Sequence, residues 1–511
     1  MSLHASARWF GLLLCGLLAA GPAQAQPAPA QQRVAAPEGR RLPADSTTKH
    51  RLDLPGRSLD FVAVAGSLPL TDQAGAVQAE VAVTSYRLAG ADPATRPVTF
   101  AVNGGPGASS AYLHLLVAGP WRLPVDGASI SPSAPPALVP NAETWLDFTD
   151  LVFIDPVGTG YSRANGPDEQ TRDRYFSVEG DISALAAVVA RWLRENERLG
   201  SPKFFLGESY GGFRGPLLAQ KLQEDTGIGL SGLVLVSPVF DFGWLSEPRW
   251  KPMEFVTRLP SLVAAARERR GPLARADLAE AESYASGEYL LDLLRGPGDA
   301  VARDRMVARV AGLTGLDPAL VSSRGGRLDL ASVQRELGRP EGRVASAYDA
   351  GVSTFDPDPS AATSQAEDAG LAPLRAVLSS AAVDHSSRRL RWPVPNARYE
   401  LLNGSVNGQW RFGRGRRPAE SFSELRGALA LDGNMRVLVA HGLTDLVTPY
   451  FGSELILRQL PAFAASRSSL ATYPGGHMFY TRDTSRAAFR EDARSLYEAA
   501  LAARAGARRG G

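Results

Sequence analysis

The chain has 511 residues and balances 55 lysines and arginines against 53 aspartates and glutamates, a formal net charge of +2. With no basic block and a near-neutral balance, charge gives no reason to expect a nucleic-acid partner. The length suffices for a large core, read as one big domain with an insertion or as two to three domains.

Residues 1–25 read as a secretory signal. Arg8 supplies a positive charge, 9–20 is an apolar run, and Ala23-Gln24-Ala25 fits a cleavage site of small residues. The run is too short to span a bilayer comfortably, so no stable membrane anchor is expected once the signal is removed. Cys15, the only cysteine, lies inside it. The mature chain is therefore expected to lack disulfides, a thiol nucleophile and a thiolate metal site. Export without disulfides points to a periplasmic or secreted bacterial protein.

Residues 26–45 are rich in Pro, Ala and Gln without periodicity and read as a flexible leader, and His50 is read as belonging to that leader. Segments 58–64 and 77–86 alternate in the manner of antiparallel strands around a turn near 72–75. Segment 97–102 has a buried-strand pattern and runs into NGGPGASS (103–110); 150–154 is another, ending in DPVGTGYS (155–162). Helical spacing covers 178–195. A short apolar run at 204–206 then leads through Gly207-Glu208-Ser209-Tyr210-Gly211 into a helix at 214–223, and 233–236 is a further buried strand.

The pattern changes after Pro238. Segment 241–395 alternates helical stretches (262–268, 275–286, 300–311) with Gly/Pro-rich loops such as 356–360, and reads as an inserted, mostly helical cap. Strands return at 436–440 and 469–473, with helices at 453–460 and 485–503; the Arg/Gly-rich tail is expected to fray. Strands alternating with helices predict an α/β class: a mainly parallel sheet with helices on both faces, built from 46–240 and 396–505.

Gly207–Gly211 fits a strand–turn–helix nucleophile elbow, in which a serine takes a strained backbone and a Cβ on either glycine would collide with its surroundings. A serine hydroxyl needs a base to take its proton and a third group to orient that base. His477, in the loop Tyr473-Pro474-Gly475-Gly476-His477 after the last strand, is the expected base. His4 falls in the signal, His114 and His385 have no motif around them, and His441 reads as a turn or sheet-edge residue. Asp445, just past the strand at 436–440, is the expected acid. Asp241, after the strand at 233–236, also keeps the order serine–acid–histidine and is its rival, whereas Asp432 precedes its strand and lies at the wrong end of the sheet. Expected donors to the oxyanion are the backbone N–H groups of Tyr210 and Gly105. The spacing of Asp349, Asp356 and Asp358 does not make a calcium loop, and no metal site is expected.

NGGPGASS, DPVGTGYS, GESYGG, HGLTD and GGHM, each in its place between residues 97 and 480, together resemble the serine carboxypeptidase family. The resemblance implies an α/β-hydrolase fold, no cofactor, and release of C-terminal residues from peptides through an acyl-enzyme. It also implies that Asn103, Gly104 and Glu208 bind substrate, with Asn103 and Glu208 holding the terminal carboxylate of a peptide with a free C-terminus. Ionised Glu208 would repel that carboxylate, so binding requires a proton on Glu208 and implies activity favouring acidic pH. The sequence departs from the family pattern at Val117, where a second acid is common, at Val102, often a tryptophan, and in its lack of disulfides. Val117 therefore keeps open a serine esterase, amidase or acyltransferase on the same triad.

Overall fold

The computed structural model describes residues 41–126, 130–166, 168–245, 250–360, 366–413 and 417–509. Residues 1–25, read as a signal, and most of the expected leader lie outside these. The end of that leader is not loose. Leu42 is buried, and the backbone N–H groups of Arg41 and Leu42 donate to the Glu80 carboxylate.

Ten strands form the main sheet: β1 (Ser46–Leu54), β2 (Arg57–Thr71), β3 (Val77–Leu88), β4 (Val98–Val102), β5 (Asp150–Ile154), β6 (Arg163–Ala164), β7 (Lys203–Glu208), β8 (Gly232–Val236), β9 (Arg436–Gly442) and β10 (Ser468–Tyr473). Their order is β1-β2-β3-β5-β4-β7-β8-β9-β10, with β6 beside β3. The first three strands are an antiparallel meander, and β5-β4-β7-β8-β9-β10 run parallel. His50 belongs to β1, where it stacks on Phe61 and meets Trp121 edge-on, so the fold begins before the first expected strand.

Every residue of β4, β5, β7 and β8 is buried, because helices cover both faces of this part of the sheet. Alternation along the strands sorts the core into two layers. Phe204, Leu206, Val234 and Val236 join Phe489, Ala493 and Tyr497 of the last helix, Asp483–Arg509, and the ring of Phe204 stacks on Tyr497 with centroids 3.8 Å apart. Phe205, Leu233 and Leu235 point the other way, toward the helices Val178–Glu195 and Tyr210–Thr226.

Between Met253 and Glu341 the chain is helical and has its own apolar cluster, in which Phe255, Leu259 and Val263 pack with Leu443, Leu446 and Phe451. The helix expected at 262–268 runs over Met253–Glu268 despite Pro260. That expected at 275–286 is broken into short pieces, with Gly287 in a non-helical conformation. An antiparallel strand pair, Arg343–Ala345 with Ser353–Phe355, and a helix at Ala372–Asp384 were not foreseen. No helix among the described residues is long and apolar enough to cross a membrane.

Candidate active site

The parallel strands end on one side of the molecule, and the candidate residues follow their C-terminal ends, where open α/β sheets bind ligands. Asn103 follows β4, Ser209 follows β7, Asp445 lies three residues beyond β9 and His477 four beyond β10. Asn103, Gly104, Gly105, Glu208, Ser209 and His477 line one cleft of about 530 Å³, together with Tyr112 and Tyr348.

Ser209 has φ 59° and ψ −122°, a conformation that costs a side-chain-bearing residue about 1–3 kcal/mol and persists only where its surroundings fix it. Its N–H donates to Val236 O at 2.8 Å, and its carbonyl accepts from Gly212 N–H at 2.9 Å as the helix begins. A Cβ on Gly207 would stand 2.2 Å from Gly211 O, and one on Gly211 would stand 2.3 Å from Val102 O. The elbow therefore closes only with glycine at both places. Gly104 brings the next loop in: its missing Cβ would lie 2.6 Å from both Glu208 O and Tyr210 N. The Asn103–Gly105 backbone is thus pressed against the N-terminus of the helix that follows the serine.

His477 Nδ1 donates to Asp445 Oδ2 at 2.8 Å. The other carboxylate oxygen accepts from Val447 N–H at 2.8 Å and Thr448 N–H at 3.0 Å, and the Thr448 hydroxyl lies 2.8 Å from Oδ2. Asp445 is buried and both of its carboxylate oxygens are hydrogen-bonded, which holds its plane against the imidazole. Burial opposes a charge on His477, but the hydrogen-bonded Asp445 carboxylate, with Glu208 beyond it, outweighs burial and holds the imidazole pKa above its ordinary value. The histidine loop is clamped from the segment after the helical cluster. His477 N–H donates to Tyr348 O at 2.5 Å, and the Tyr348 ring stands edge-on to the imidazole with centroids 5.3 Å apart.

Glu208 is buried beside the serine. Its carboxylate accepts from Asn103 Nδ2 at 2.5 Å and from the Tyr480 hydroxyl, 2.8 Å from each oxygen. Burial pushes its pKa up to about 7, against the opposing effects of His477 and of the Tyr480 and Asn103 hydrogen bonds. Asn103 itself is fixed three ways: Oδ1 accepts from Leu113 N–H at 3.0 Å, the backbone carbonyl accepts from Arg214 at 2.5 Å, and the amide meets Glu208. Arg214 is fully buried and paired with Asp181 at 2.7 Å.

Sequence reasoning missed Thr448, Tyr348, Tyr480 and Arg214. Only Arg214 carried a signal, as a cation within an otherwise apolar helix start. The remaining histidines lie elsewhere. His441 is buried with Nε2 2.8 Å from Ser453 Oγ, and burial lowers its pKa to about 4. The Nε2 atoms of His114 and His385 both lie 2.7 Å from the Tyr86 hydroxyl. Asp241 caps a short turn by accepting from Gly243 N–H at 2.7 Å, and it does not line the cleft. Asp432 precedes β9. Asp349 is paired with Arg482 at 3.0 Å and Asp356 with Arg335 at 3.6 Å; no group of acids, histidines or cysteines among the described residues is arranged to hold a metal.

A mainly parallel sheet, covered on both faces and carrying a strained serine on the turn after its third parallel strand in chain order, defines the α/β-hydrolase fold. Residues 83–242 match the family model for serine carboxypeptidases. Over 159 residues the chain is 31% identical to serine carboxypeptidase-like 33 of Arabidopsis thaliana, covering 29% of this chain and 31% of that relative. It is 31% identical over 154 residues to the pheromone-processing carboxypeptidase KEX1 of Yarrowia lipolytica, covering 29% of this chain and 22% of that one. The match thus spans less than a third of either relative's length. Among solved structures, a prohormone-processing carboxypeptidase from Saccharomyces cerevisiae is similar with a TM-score of 0.54 at 16% identity, covering 86% of this chain and 91% of that one.

Proposed function

We propose that this protein is a serine-type carboxypeptidase that removes C-terminal residues from peptides through an acyl-enzyme. One observation carries the reading: a strained serine shares its cleft with a carboxylate-oriented imidazole and with a buried Glu208–Asn103 pair. The family match over 83–242 supports it. In the proposed cycle Ser209 Oγ attacks the last peptide carbonyl while His477 takes its proton. The N–H groups of Gly105 and Tyr210 receive the oxyanion, and Asp445 stabilises the imidazolium. His477 then returns the proton to the departing amine, and the same base delivers a water to the acyl-enzyme. Asn103, Gly104 and protonated Glu208 hold the terminal carboxylate.

A second reading, a serine esterase, amidase or acyltransferase, is favoured by Val117, which is buried in the core and brings no second acid to the cleft. Three substrates sharing one acyl group separate the two: a blocked dipeptide, its C-terminal amide and an aryl ester. The carboxypeptidase reading expects strong preference for the free acid over the amide, lost throughout in Ser209→Ala. Equal turnover of acid and amide by the wild type favours the second reading. We further propose that segment 241–395, which contributes Tyr348 and Leu371 to the cleft wall, acts as a cap, and that residues 1–25 direct export to the periplasm or outside the cell.

A further inference from the structure

Val117 occupies the place where a second acid is common in the family that the sequence resembles, on the helical turn Leu113–Ala118, and its side chain packs in the main apolar core. No carboxyl from this turn reaches the cleft. The residue just before the turn does: Tyr112 lines the cleft with Asn103, Glu208 and Ser209. Tyr112 is only 4% exposed, and its hydroxyl is buried without a hydrogen-bond partner among the described residues. A buried hydroxyl left unpaired is costly, and native structures rarely retain one without a use.

The other polar groups at this end are engaged with each other, since the Asn103 amide and the Tyr480 hydroxyl both donate to Glu208. We propose that the Tyr112 hydroxyl donates a hydrogen bond to the terminal carboxylate of the bound peptide, taking the place of the missing second acid. This rests on the carboxypeptidase reading above. A phenol suits the task better than a carboxyl in one respect: it keeps its proton across the neutral range and presents a donor without having to share one. Burial, and then the neighbouring Glu208, push the Tyr112 pKa up and so reinforce that state. Arg375, one turn after the lining residue Leu371, adds a positive charge that acts on both Tyr112 and Tyr348.

The test compares wild type, Tyr112→Phe and Tyr112→His on the blocked dipeptide acid, its amide and the aryl ester. Ratios of kcat/KM taken within one preparation do not depend on the fraction folded. Tyr112→Phe removes one hydrogen bond to a charged group, so the acid-to-ester ratio is expected to fall roughly ten- to a hundredfold. Tyr112→His, which keeps a donor, is expected to lose less. An unchanged ratio in Tyr112→Phe, or equal losses on acid, amide and ester, overturns the role given to Tyr112. If Tyr112→Phe yields no folded protein, a Tyr112→His ratio equal to that of wild type supports the donor, and one reduced more than a hundredfold overturns it. A wild type that does not prefer acid to amide overturns the carboxypeptidase reading itself, a separate failure.

Discussion

Glu208 and Asn103 form a buried pair with Asn103 Nδ2 2.5 Å from the carboxylate: that hydrogen bond stabilises the ionised form of Glu208, while burial favours the neutral one. Burial prevails and pushes its pKa up to about 7. Glu208, its pKa pushed up by burial, and His477, its pKa held above the ordinary value by Asp445, thus share the cleft of Ser209.

The first consequence is in the pH dependence. In the proposed cycle His477 must be neutral to accept a proton, so its raised pKa is expected to remove activity on the acid side for every substrate. In the same proposal Glu208 must be protonated to hold a carboxylate, so its ionisation through about pH 7 is expected to remove activity on the alkaline side, but only for substrates with a free C-terminus. Profiles of kcat/KM against pH are expected to be a bell for the dipeptide acid and a rise to a plateau for the aryl ester. The two groups titrate as a coupled pair, so the limbs belong to the pair. Superimposable profiles for the two substrates would remove Glu208 from carboxylate binding.

The second is in stability. An acid whose folded pKa is about 7 and whose ordinary value is 4.5 holds, when folded, a proton that the unfolded chain releases. Folding is therefore penalised progressively as pH rises from 4.5 to about 7, and the penalty is constant above. Glu208→Gln keeps the shape and removes the titration. Denaturant unfolding is expected to show the variant more stable than wild type by up to about 3 kcal/mol at pH 8, with the gain vanishing near pH 4. A gain that is the same at both pH values would contradict the shift.

The acid–base pair gives a graded series. Asp445→Asn keeps the volume but loses the charge that stabilises the imidazolium, and kcat is expected to fall about 10⁴-fold. Thr448→Val removes only the hydroxyl 2.8 Å from Asp445 Oδ2, and about 1 kcal/mol, or roughly fivefold in kcat, is expected. Steady-state kinetics on the aryl ester measure both, and a Thr448→Val effect as large as that of Asp445→Asn would contradict the division of roles.

Much of this site was legible in the sequence because its chemistry is local. The elbow needs two glycines within five residues, and the serine, acid and histidine each follow a strand short and apolar enough to recognise, so the side of the sheet followed from the alternation of elements. What escaped was set by tertiary packing. Thr448 belongs to a polar turn like many others until Asp445 is placed beside it, and Tyr348 meets His477 from 129 positions away in the chain. Tyr480 reads as an aromatic at a helix start, and only the fold aims its hydroxyl at Glu208. The helices Pro318–Ser323 and Leu330–Gly338 were missed because their apolar residues face a local cluster shared with Leu443, Leu446 and Phe451. The antiparallel pair Arg343–Ala345 with Ser353–Phe355 is too short for alternation to register.

Close packing of the first loop on the elbow makes a separate prediction. Gly104→Ala places a methyl 2.6 Å from Glu208 O and Tyr210 N, so the loop carrying Gly105 must move away from the serine. Losing one oxyanion donor costs about 10²–10³ in kcat, and that loss is expected on ester and peptide alike. Retention of wild-type turnover on both would show that the loop does not serve the oxyanion.

The most direct measurement follows a defined peptide mixture by mass spectrometry over time, with wild type and Ser209→Ala side by side and with each peptide present in free-acid and C-terminally amidated form. The expected result is a ladder of masses shortened one residue at a time from the free C-terminus, slower or absent for the amides and absent throughout with Ser209→Ala. Internal cleavage, equal shortening of acids and amides, or the same ladder from Ser209→Ala would contradict it.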